Sequence, residues 1–254
     1  MAGILDDTYD AYGTYEELEI FTEAIQRWSS NNLDSLPEYM KLIYKCLLDI
    51  YGEMKEFRAK EGKAYELEYF KESMKEYITS YMTEAKWREE GYVPTIEEHE
   101  SVRFMSSAYK MLTTASFVGM GDMITEEAFK WVETNPHVVK SSAAISRLMD
   151  DVVGRKEDQE RKHVVTTVES YMKQHDVKEE EACDLINQQV EDAWKDMNRE
   201  LLICKDVPLR LIMTVFNMAR VMDTLYKYQD NFTHVGEEFI HNIKSLLVHA
   251  ISVD

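Results

Sequence analysis

The residues able to do chemistry in this chain are carboxylates at helical spacing. Asp6-Asp7-Thr8-Tyr9-Asp10 forms a DDxxD string. On a helix, Asp6 and Asp10 are i, i+4 neighbours on one face, about 6 Å apart along the axis. Ile4, Leu5 and Tyr9 surround them with apolar and aromatic side chains. Like charges on one face repel, and an apolar setting makes this worse unless a cation lies between them. Hard oxygen ligands at that spacing suit Mg2+, which keeps several waters and takes one or two carboxylates plus substrate phosphates. A second stripe holds Asp150, Gly154 and Asp158 at i, i+4, i+8, and it follows the largely apolar run 138–149. Arg147 sits one turn before Asp150 on the same side. A cation beside a metal-binding carboxylate makes sense where a shared anion such as phosphate bridges them. The competing reading is two solvated helix faces, which a chain with 48 acids produces by chance. Spacing alone leaves both open.

The elements that must carry these residues are helices. Only 4 prolines and 9 glycines occur in 254 residues, too little punctuation for strands and turns. Apolar residues recur at helical period over 15–28, 37–59 and 64–89. The same period predicts one helix from Pro94 through Met105, Tyr109, Leu112 and Phe117, interrupted by GMGD at 119–122. Further helices fit 125–133, 136 into the 150s, 160–175, 178–203, 208–228 and 236–251. The acidic runs 96–100 and 178–181 read as solvated helix ends. Hydrophobic residues at 44% place the chain among globular proteins. The expected fold is an all-α bundle in one domain, with a cavity between helices.

Charge excludes several roles. With 48 acidic and 29 basic residues the net charge is −19, which opposes binding to nucleic acid or to an anionic membrane. No apolar run is long enough to span a bilayer. Three separated cysteines, Cys46, Cys183 and Cys204, fit free thiols in a reducing compartment.

Longer strings then carry a family resemblance. ILDDTYDAYGTYEELEIFTEAIQRW at 4–28 resembles the aspartate-rich segment of plant class I terpene synthases, most of all the sesquiterpene cyclases. RLMDDVVGRKEDQERKHVVTTVESYMKQH at 147–175 resembles their second metal motif and the helix after it. YKMLTTASFVGMGD at 109–122 is similar to their kinked cavity-lining helix, and YKYQDNFTH at 226–234 to their mobile C-terminal loop. The resemblance implies a bundle around an apolar cavity, with the two metal motifs facing each other at its mouth. Asp6, Asp7 and Asp10 would bind two Mg2+. Asp150, position 154 and Asp158 would bind a third, with Mn2+ a possible substitute. Asp6, Asp10, Arg147 and Asp150 would hold the diphosphate of a prenyl substrate, farnesyl diphosphate being the expected one. Tyr226 and Asp230 match the loop that closes over it. Tyr109, Phe117, Tyr226, Tyr228 and Phe232 are candidates for rings lining the cavity, with core packing the competing role for each. The resemblance further implies a cytoplasmic monomer.

Three departures from the family pattern are visible. Gly154 stands where Ser or Thr is usual, and Asp158 where Glu is usual. The whole chain, 1–254, reads as a partial C-terminal metal-binding domain, without the upstream helices, arginines and tryptophan of the family. Poor support for Asp6 and Asp10 near a fraying terminus is therefore expected, as is exposure of the Tyr109, Leu112 and Phe117 face. Two other functions compete with a cyclase. One is a non-catalytic, truncated or degenerate helical relative. The other is a chain-elongating prenyl transferase, disfavoured because 150–158 has the cyclase spacing and not a second DDxxD.

Overall fold

The structure, a computed structural model, describes residues 1–155 and 166–249. No strand occurs among them. The first helix, α1 (Ala2–Asp7), runs directly into a π-helical turn, Thr8–Tyr12. The bond from Gly13 N to Thr8 O, 2.8 Å, closes that wider turn. Thr14 then caps α2 (Tyr15–Arg27) through a capping box with Glu17. Leu18, Phe21, Ala24 and Ile25 of α2 are buried, as their period predicts.

Pro37 lies immediately before α3 (Glu38–Ala59), and Gly91, at φ 60°, ends α4 (Glu66–Glu90). Arg58 near the end of α3 donates to both carboxylate oxygens of Glu66 at the start of α4, at 2.8 and 2.9 Å. The pair is buried and fixes the turn between the two helices.

The single helix expected from Pro94 is two helices, α5 (Ile96–Ser106) and α6 (Tyr109–Phe117). The break is at Ser107 and Ala108, and Ala108 adopts φ 68°. Hydroxyl groups compete with the backbone there: Ser106 Oγ donates to Arg103 O at 3.1 Å and Ser107 Oγ to Phe104 O at 2.7 Å. Thr95 and Glu98 form a capping box at the start of α5.

The remaining helices are α7 (Glu126–Glu133), α8 (His137–Val153), α9 (Thr167–His175), α10 (Glu179–Ile203), α11 (Leu209–Tyr226) and α12 (Glu237–Leu247). Glu97 and Glu98 in α5, and Glu179, Glu180 and Glu181 in α10, occupy first turns, where the helix dipole favours negative charge. The start of the helix expected at 160 lies outside the described residues.

Two hydrophobic cores result. One joins α1 to α4 with Ala108 and Met111, and the other joins α7 to α11 with Phe117. Helix α8 is central to the second, packing on both α10 and α11. Helix α12 buries no residue. None of the described helices is long and apolar enough to cross a membrane. All three cysteines are free thiols.

Candidate active site

A pocket of about 360 Å3 opens along the seam between the two cores. One wall comes from α1, the π turn and α4, the other from α8, α11 and the loop after α11. The break between α5 and α6 forms part of its lining through Ser106, Ser107 and Ala108.

The first wall carries Asp6, Asp7 and Asp10. Asp6 is next to last in the α-helical part and Asp10 sits on the π turn, so they share a face across a change of helix type and not on one regular helix. Such turns occur often at functional sites, because the extra residue per turn re-aims side chains. The segment is anchored to the helices that follow it. Leu5 and Tyr9 are fully buried, at 0% and 1% exposure. Tyr9 hydrogen-bonds Thr22 through its hydroxyl at 2.6 Å, and Arg88 of α4 donates to Tyr9 O at 2.8 Å. Support for the aspartates therefore comes from α2 and α4.

Burial raises the Asp6 carboxyl, although Tyr81 and Arg147 oppose it. Asp10 is pushed up to about 8, first by burial, then by the charges of Asp6 and Glu84. Two acids that resist ionising beside each other are stabilised by a cation between them.

The opposite wall presents Arg147, Asp150 and Gly154. Arg147 Nη1 donates to Asp150 Oδ2 at 3.2 Å, so the sequence pairing holds. Arg147 Nε is buried and has no hydrogen-bond partner among the described residues. Gly154 follows α8 in helical conformation, donating its N–H to Asp150 O at 2.7 Å. Asp158 lies outside the described residues.

Tyr226 and Asp230 line the same pocket. Burial keeps the Tyr226 phenol protonated, and the nearby Asp150 and Asp230 charges add to this. Asp230 Oδ1 accepts from Phe232 N at 2.8 Å and Thr233 N at 3.0 Å, so this residue also builds the loop. Of the five rings expected in the cavity, Tyr109, Tyr226 and Phe232 line it. Phe117 is packed in the second core at 0% exposure, and Tyr228 faces solvent at 85%. The expected exposure of the Tyr109, Leu112 and Phe117 face is also corrected. Tyr109 and Phe117 are buried and Leu112 lines the pocket, because α6 packs on α4 and α8.

Sequence reading missed a buried polar chain behind the site. Arg103 donates to Glu84 at 3.2 Å and to Asp151 Oδ1 at 2.7 Å. Ser106 also donates to Glu84, and Thr167 N donates to Asp151 Oδ2 at 3.0 Å. Burial opposes ionisation of Asp151, but the Arg103 and Arg147 guanidinium groups outweigh it and hold the carboxyl low. The chain ties α4, α5, α8 and α9 together directly behind Asp150. Its signal was present: His99, Arg103 and Ser106 form a polar stripe at i, i+4, i+7, and all three are buried. Tyr77 and Tyr81 of α4 also line the pocket, and Tyr81 donates a hydrogen bond to Asp6.

The donor set fits divalent metal bound with a diphosphate. No three His, Cys, Asp or Glu side chains among the described residues converge into a self-sufficient cage. Mg2+ uses few carboxylates and completes its octahedron with water and phosphate oxygens. Partly exposed carboxylates on one wall, with the unpartnered Arg147 Nε on the other, provide the two halves of such an arrangement.

The structure is thus an all-helical bundle in which Asp6, Asp7 and Asp10 face Arg147 and Asp150 across one pocket. The family profile "Terpene synthase family, metal binding domain" matches residues 1–196, and the chain belongs to that family. It is 57% identical over 253 residues to a sesquiterpene synthase of Xanthium strumarium, covering 100% of this chain and 46% of the relative. It is 53% identical over 248 residues to alpha-isocomene synthase of Matricaria chamomilla var. recutita, covering 98% and 45%. The chain thus spans less than half the length of these relatives. Among solved structures, it is similar to limonene synthase with 2-fluorolinalyl diphosphate, with TM-score 0.91 and 27% identity over 98% of this chain and 46% of that one. It is also similar to isoprene synthase from grey poplar leaves in complex with three Mg2+ ions and dimethylallyl-S-thiolodiphosphate. There the TM-score is 0.86 and the identity 26%, over 97% of this chain and 47% of that one.

Proposed function

We propose that this chain carries the metal- and diphosphate-binding part of a sesquiterpene synthase, which ionises farnesyl diphosphate, releases diphosphate and cyclises the farnesyl cation. The observation carrying this reading is the opposition of Asp6 and Asp10 to Arg147 and Asp150 across one pocket that is also lined by Tyr109, Leu112, Met222 and Leu225. Sesquiterpene synthases among the relatives favour a fifteen-carbon substrate.

Asp6, Asp7 and Asp10 would hold two Mg2+, and Asp150, with position 154 and Asp158, a third. Mn2+ has the same preference for oxygen donors and would substitute. Bound metal supplies Lewis-acid stabilisation of the leaving diphosphate. Arg147 adds N–H donors to phosphate oxygens and retains its charge in the buried site. Gly154 offers no side-chain oxygen, so a water would have to complete that ligand set.

Tyr109, Leu112, Met222 and Leu225 exclude water from the cation. The faces of Tyr109, Tyr226 and Phe232 stabilise passing positive charge. Tyr226 stays protonated, and Asp230 holds the loop carrying Phe232 against the pocket. The reaction ends by proton loss or water capture.

The test is incubation with farnesyl and geranyl diphosphate with and without Mg2+, followed by analysis of volatile products. Metal-dependent fifteen-carbon hydrocarbons or alcohols from farnesyl diphosphate support the reading. Longer diphosphates would make the chain an elongating enzyme. No product, with diphosphate-dependent metal binding retained, would leave a non-catalytic relative.

A further inference from the structure

We propose that Tyr81 is a positioning residue for the first metal motif, its hydroxyl orienting the Asp6 carboxylate for metal binding. The inference rests on the reading of Asp6 as a metal ligand. Helix α1 has 6 residues, too few to be stable by itself. Asp6 is near its end, and the terminal torsion of an aspartate is broad. A metal ligand must be held to about half an ångström by groups that are themselves locked.

Tyr81 meets that requirement. Its ring is 1% exposed, stacked on Tyr9 at 5.5 Å and edge-on to Tyr77 at 5.0 Å. Tyr77 in turn donates to Ala2 O at 3.3 Å, which joins α4 to the start of α1. From this locked ring the hydroxyl donates to Asp6 Oδ1. One carboxylate oxygen is thereby occupied and oriented, and the other is left for a metal. Phenylalanine at position 81 would pack equally well against both tyrosines, so packing alone does not require the hydroxyl. Hydrogen-bond partners of metal ligands typically contribute about 10- to 100-fold in metal affinity.

The test titrates Mn2+ into the full chain in the presence of inorganic diphosphate, with bound ions counted by electron paramagnetic resonance. Tyr81→Phe is expected to weaken Mn2+ binding about tenfold, while helicity and Tm stay close to the parent. Tyr39→Phe, whose hydroxyl donates to Glu17 away from the pocket, is expected to bind Mn2+ like the parent. In an Asp6→Asn background, Tyr81→Phe should have no further effect, because the residue acts through Asp6. Undiminished Mn2+ affinity in Tyr81→Phe overturns the proposal, as does an equal loss in the Asp6→Asn background. Unfolding of Tyr81→Phe would also overturn it, since the hydroxyl would then serve the fold. Failure of the unmodified chain to bind Mn2+ with diphosphate would instead remove the metal reading, and this inference with it.

Discussion

At the scale of the residue, Asp10 concentrates the cost of the site. Its carboxyl is held near 8 by burial and by Asp6, against an ordinary value near 4 in the unfolded chain. The folded chain therefore binds this proton more tightly than the unfolded one. Asp10 favours folding below about pH 4, and that contribution is lost as pH rises through about 8. A divalent cation competes for the same carboxylate. Asp10→Asn, which stays neutral, should be more stable than the parent at about pH 8 and close to it at about pH 4. Mn2+ with diphosphate should raise the parent's Tm more at about pH 8 than at about pH 6, and have a smaller effect on Asp10→Asn. Differential scanning calorimetry at those pH values checks both expectations. An equal gain at both pH values would mean that Asp10 is not displaced from its proton by metal.

At the scale of the element, two joints hold the ligands. The π turn ends at Gly13, where an added Cβ would lie 2.9 Å from Thr8 O and 2.6 Å from Leu18 Cδ2. Leu18 is fully buried and cannot swing away. Gly13→Ala should therefore cost about 1–3 kcal/mol through overpacking and weaken Mn2+ binding, since the turn carries Asp10. Urea unfolding and the Mn2+ titration together measure this; an unchanged midpoint would show that the turn relaxes freely. The second joint is the Glu84–Arg103–Asp151 chain. Arg103→Leu removes the ion-pair partner of two buried carboxylates and should destabilise by about 3–5 kcal/mol. Adding Glu84→Gln and Asp151→Asn should recover much of that loss, because the stranded charges are removed. The urea midpoints of the two variants are the comparison, and no recovery would mean that lost packing, not charge, sets the penalty.

At the scale of the whole molecule, α12 presents an uncovered apolar surface and α6 does not. Leu246 and Leu247 are 82% and 81% exposed, and Ile240 and Ile243 each 39%. Contiguous exposed apolar surface of this kind promotes association. The chain should bind a hydrophobic dye and sediment with concentration dependence. The double substitution Leu246→Glu, Leu247→Glu should reduce both and favour a monomer. Sedimentation velocity of the two proteins decides it, and identical behaviour would exonerate α12.

Much of this was legible along the sequence. Helical period marked nearly every helix because one buried face per helix imposes it, as Leu18, Phe21 and Ile25 illustrate. The i, i+4 spacing of the aspartates and the Arg147–Asp150 pairing survived in the fold because both are local. What the sequence left out depends on partners distant in the chain. The α5–α6 break follows from hydroxyl groups beside a buried carboxylate 22 residues away, Ser106 to Glu84. Phe117 and Tyr228 have the same chemistry as the rings lining the pocket, yet packing sends one to the core and the other to solvent. Asp150 and Asp151 are adjacent acids, and only the tertiary structure turns the first into the pocket and the second onto Arg103. Sequence determined the helices and the ligand chemistry, because those follow from local period and residue type. Tertiary structure decided which carboxylates meet, what holds them and which faces stay bare, because burial and long-range hydrogen bonds exist only once helices far apart in sequence pack together.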